Sequence, residues 1–183
     1  MKHRSEAGFS YVDVMIAIVI LSVGILALLS GIAGAVVQSK GQEVQLLAKQ
    51  VASSTMESIM SLKETDPNRL GWIAMGNVNT NWDTATGTYR GVFVVGEQDV
   101  LENAGPDQVI GTADDTGATV PGMTREIVIT DQCDTDRPSP NCATPGTWPV
   151  RIRTVVVTVR YSANGVRRQE RLSTVLTDYA ATE

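Results

Sequence analysis

The sequence predicts an α+β protein: a long N-terminal helix, membrane-spanning in its first half, packed through its second half on a C-terminal antiparallel sheet of about four strands. Three observations predict it. Residues 14–39 contain no charged side chain. Beyond them Val44, Leu47, Val51, Thr55, Ile59 and Leu62 recur every three or four positions, the period of one helix face. Two β-rich runs, 151–161 and 166–178, flank Asn164-Gly165, the dipeptide suited to a type I′ hairpin turn.

Each element follows from local chemistry. As a helix rising about 1.5 Å per residue, the apolar run after Asp13 crosses a bilayer core of about 30 Å. It exceeds the apolar core of a secretory signal, about 7 to 15 residues. Lys2, His3 and Arg4 precede it and Lys40 follows it, so the positive-inside tendency puts the N-terminus in the cytoplasm and the head across the membrane. The helix is expected from Phe9 to about Lys63, because Pro67 disfavours helical geometry just before it. Residues 64–90 read as a loop region in which Trp72 and Trp82 pack as lids over the helix. Further strands are expected at 91–95 and 124–130.

Composition narrows the chemistry. The chain has 183 residues, a net charge of -5 and one histidine, His3, so a histidine triad or multi-histidine metal site is not available to the head. No enzyme is expected. Cys133 and Cys142 lack CxxC spacing; they read as a disulfide if the head is extracytoplasmic, or otherwise as two free thiols. Acidic residues crowd 97–136, opposed there only by Arg125, whereas Arg151, Arg153, Arg160, Arg167, Arg168 and Arg171 crowd the C-terminal hairpin. The acidic balance argues against nucleic acid as a partner. Arg167 and Arg168 read as cross-strand partners of Glu170 and nearby acids.

Two carboxylate features stand out. Asp13 lies in the apolar segment, where a mid-membrane charge costs roughly 2.5 to 3.5 kcal/mol and normally has a partner. A free amine at Phe9 would supply one; a solvated headgroup position is the alternative. In the second, Asp107, Asp114 and Asp115 occupy a turn-rich stretch, 103–115, which reads either as a calcium loop or as an Asx-turn loop held by its own side chains. EF-hand spacing is not met. No cofactor is required.

The string Gly8-Phe9-Ser10-Tyr11-Val12-Asp13-Val14-Met15, after a short basic leader and before the apolar run, resembles the processing site of type IV prepilins and type II secretion pseudopilins. The resemblance covers the leader and first helix closely, and the head only in layout. It implies a ladle-like fold, cleavage between Gly8 and Phe9 by a prepilin peptidase, N-methylation of Phe9, and pairing of Asp13 with the new amine during assembly. The family acid is usually glutamate, one methylene longer. The implied organisation is a leader (1–8), a transmembrane and polymerisation helix (9–37), an amphipathic continuation (38–63) and an extracytoplasmic head (64–183). The implied function is that of a minor pilin or pseudopilin in a type IV pilus-like filament. Its expected partners are the peptidase/methyltransferase, other pilin subunits and the inner-membrane assembly platform. It is expected in the bacterial inner membrane with a periplasmic head, then in a periplasmic or surface filament. The alternative is a single-span surface adhesin or cation-binding module that does not polymerise.

Overall fold

The computed structural model describes residues 10–64, 71–136, 142 and 150–178. The chain divides into two units, residues 1–42 and 43–183. Helix α1 runs from Tyr11 to Glu64. In the first unit its large apolar side chains, from Tyr11 to Val37, are exposed. Among the described residues this is the one helix long and apolar enough to cross a membrane. The backbone suits that medium because a helix satisfies its own N–H and C=O groups. Ser22 follows suit, its hydroxyl donating to Ile18 O at 2.8 Å.

In the second unit the end of α1 lies on a four-stranded antiparallel sheet. Ala48, Ala52, Thr55, Met56, Ile59 and Leu62 are buried, a stripe of three- and four-residue steps. Leu47, expected in that stripe, is 42% exposed. The two alanines take the inner face beside it, and their small side chains let helix and sheet approach closely. Two short strands, β1 (Trp82–Asp83) and β2 (Thr88–Tyr89), pair as a small hairpin. The main sheet comprises β3 (Glu97–Asn103), β4 (Thr116–Gln132), β5 (Ile152–Ala163) and β6 (Val166–Thr177), in spatial order β3-β4-β5-β6.

The core joins the helix stripe to alternate residues of the sheet. Val155, Val157 and Val159 of β5 are fully buried, with Ile127 and Met123 of β4 and Val100 of β3 beside them. That alternation is the signature of a sheet covered on one face. Asn164 and Gly165 both take positive φ, 54° and 77°, as a type I′ turn requires. The β5–β6 register then continues unbroken from Ala163↔Val166 to Ile152↔Thr177.

The expected strand at 91–95 is not one. Phe93 forms only isolated bridges, to Asn77 and Thr112, and the strand that pairs with β4 follows it as β3. Only Val100 of β3 is buried, so its sequence lacks an apolar alternation. β4 is also longer than the expected 124–130. Its register with β3 shifts between Asp99 and Leu101 and again between Leu101 and Asn103. Gly122 and Gly117, at φ 68° and 97°, fall in these bulges, where positive φ favours glycine.

Candidate functional site

The first candidate is the N-terminal turn of α1. Gly8 and Phe9 lie outside the described residues. Asp13 sits in the first helical turn and is exposed, its N–H donating to Ser10 O at 3.0 Å. A carboxylate there complements the helix dipole. Among the described residues no cation pairs with it. Lys40, the next basic residue along the chain, lies roughly 40 Å away along the axis at 1.5 Å per residue. A Cβ placed at Gly24, Gly31 or Gly34 would meet nothing within 4 Å. Those glycines are therefore available for close approach by another helix.

The acidic loop is held by its own side chains. Asp107 Oδ1 accepts from Val109 N at 2.8 Å, an Asx turn. Asp114 accepts from Asp107 N and from the Thr112 hydroxyl, and the Thr112 bond leads in holding its carboxyl below the usual aspartate range. Asp115 Oδ2 accepts from Gly111 N and from Arg125 at 2.9 and 2.8 Å. Gly105 permits this winding, since a Cβ there would fall 2.2 Å from Asp114 O. The loop is also pinned to α1, Ile110 N donating to Ser58 Oγ at 2.9 Å. The three carboxylates thus serve separate donors. Among the described residues no group of three or more His, Cys, Asp or Glu is placed to hold a metal. Cys133 and Cys142 form a disulfide, with Cα atoms 5.7 Å apart.

The segregated charges of the sequence meet across the sheet. Acidic β3 and β4 lie beside basic β5 and β6, so Arg160 pairs with Glu97 and Glu126, Arg153 with Asp131, and Arg167 with Glu97. Glu170 does not take Arg167; it accepts instead from Gln45 and from the Tyr161 hydroxyl. Burial first, and then Glu170, raise the Tyr161 phenol above its ordinary value.

The two tryptophans diverge. Trp72 packs on the core, donates from Nε1 to Val150 O and lies under the Arg153 guanidinium, 4.6 Å from the ring centre. Trp82 is 55% exposed and stacks edge-on with Tyr89 at 5.0 Å, so it is not the lid expected from sequence. The β1–β2 turn is fixed by Asp83, which accepts from Ala85 N and Thr86 Oγ1.

No protein-family model, curated protein or solved structure matches the chain.

Proposed function

We propose that the chain is a structural subunit, a minor pilin or pseudopilin, of a type IV pilus-like filament. The observation that supports this best is one juxtaposition. The first turn of the helix carries a single carboxylate, Asp13, between the Gly8-Phe9 string and the charge-free run 14–39, whose large apolar side chains are exposed. The membrane holds the subunit until assembly. Cleavage after Gly8 then gives Phe9 a cationic amine four residues before Asp13 in the sequence, a counter-charge for that carboxylate in the same chain or a neighbouring copy. On moving into a bundle of like helices, the apolar run exchanges lipid contacts for helix contacts. The acid–amine pair removes an uncompensated charge from that apolar setting and fixes axial register. The head, with its disulfide-closed 133–142 loop, is carried to the periplasm or cell surface.

Intact-mass spectrometry of the chain from cells with a working prepilin peptidase tests the reading. The expected mass lacks residues 1–8 and carries one added methyl group. A full-length, unmethylated chain would overturn it, and a single-span surface module would take its place.

A further inference from the structure

Among the described residues the sheet has two open edges, and both are regular. β6 keeps register with β5 over its whole length and contains neither proline nor glycine. At β3 the register shifts place every extra residue on β4, so β3 runs continuously from Glu97 to Asn103. Among the described residues, no backbone hydrogen bond other than those of sheet pairing reaches either strand. Toward the described residues each edge therefore presents a row of free N–H and C=O groups, a template for a further strand.

The edges carry opposite exposed charge. On β6, Arg168 and Arg171 are exposed; on β3, Asp99 and Glu102 are exposed. Among the described residues none of the four enters an ion pair. We infer that β6 of one molecule pairs antiparallel with β3 of a second copy, continuing the sheet from molecule to molecule. Charge and spacing select the register. With Arg171 opposite Asp99, antiparallel pairing sets Arg168 opposite Glu102 and Gln169 opposite Leu101, all within the two strands.

Strand direction and sheet face agree with this register. Within one sheet β3 and β5 run one way and β4 and β6 the other. An incoming β3 antiparallel to β6 thus runs as β3 does in the first copy, and the helix-covered faces stay on one side. Asp99 aligns through Thr124 with Arg160, and Arg171 aligns with Thr158, two residues from Arg160 on β5. Asp99 and Arg171 consequently share a sheet face. The contact joins two different patches, so each added copy leaves one edge of each kind open, and the assembly can extend. It does not depend on leader cleavage.

Disulfide trapping of the full chain in membranes tests the contact. Copies carrying Asp99→Cys are co-expressed with differently tagged copies carrying Arg171→Cys, and the wild type, whose cysteines are joined to each other, sets the background. Mixed-tag dimers are expected, and a ladder of multimers when both substitutions share one chain. Trapping between Leu101→Cys and Gln169→Cys should fall roughly tenfold when Arg168→Glu and Arg171→Glu are added, because like charges then face each other. Reversing Asp99 and Glu102 to arginine in the partner copy should restore it. Absence of mixed-tag species, same-tag Arg171→Cys dimers as the main product, or indifference to charge reversal would each overturn the contact. N-terminal mass is read on the same material, so failure of this contact is distinguishable from failure of the filament reading.

Discussion

Arg125 Nη2 lies 2.8 Å from Asp115 Oδ2, and the two side chains are only 3% and 6% exposed. The pair ties the middle of β4 to the acidic loop, and Arg125 also reaches Thr55 of α1 at 3.5 Å. Burial pushes the guanidinium below its ordinary value, opposed by Asp115. Among the described residues nothing donates to the buried Asp115 Oδ1, so there the pair is only partly compensated for its loss of water.

Removing one member leaves a buried charge. Arg125→Met and Asp115→Leu should each destabilise the head by roughly 3–5 kcal/mol, whereas the two together should cost less than either alone. Urea unfolding of the detergent-solubilised chain, followed by tryptophan fluorescence, measures this. Additive costs in the double variant would contradict the coupling.

Asn77 stands in for a strand. β3 stops pairing with β4 at Glu97↔Glu126. Just beyond, Asn77 Nδ2 donates to Ile127 O at 2.8 Å and its Oδ1 accepts from Ile129 N at 2.9 Å. Asn77→Ala leaves both backbone groups without these partners, at a cost of roughly 1–3 kcal/mol. Amide exchange at Ile129 should quicken by a matching factor while Val157, deep in β5, changes only with global stability. Unchanged exchange at Ile129 would remove Asn77 from this role.

Asn77 also marks where sequence reading stops. The long helix, β5, β6 and their Asn164-Gly165 turn were legible because period and turn chemistry are local signals. β3 was not, since a half-solvated edge strand buries only Val100 and carries charge elsewhere. The Asp107, Asp114 and Asp115 stretch was legible as a turn-rich loop. Which donor each carboxylate takes depends on Arg125, Thr112 and backbone winding, which spacing alone does not encode. The Arg160 and Glu97 pair, 63 residues apart, required the sheet order.

Acid should weaken the head through Glu97 and Asp114. The Thr124 hydroxyl leads in holding Glu97 below the usual glutamate range, with Arg167 and Arg160 adding to it and burial opposing. Asp114 is lowered first by Thr112, again against burial. In both cases the unfolded chain binds the proton more readily, so stability rises with pH through this window. The contribution is complete above the ordinary carboxylate range, about pH 4, and is lost as pH falls through the lower folded values. Thermal unfolding between pH 7 and 2 should show a melting temperature that drops at the acid end. Thr112→Val and Thr124→Val should each make that drop shallower by raising the folded value of their carboxyl. An identical acid slope in both variants would assign the effect to other groups.

Asp13 gives the sharpest test of assembly, because its charge and its reach separate. Aspartate and glutamate both offer a carboxylate to a Phe9 amine, while asparagine offers the size without the charge. If the acid–amine pair carries the charge into a helix bundle, Asp13→Asn should leave the chain inserted in the membrane, since removing a carboxylate eases insertion by up to roughly 3 kcal/mol. The same change should deplete the chain from sheared filaments. Asp13→Glu should keep it there, the longer side chain reaching the amine at least as well. Quantitative immunoblotting of membrane and filament fractions separates the two effects. Filament levels that follow side-chain size rather than charge would show that Asp13 acts by packing and that the amine plays no part in its retention.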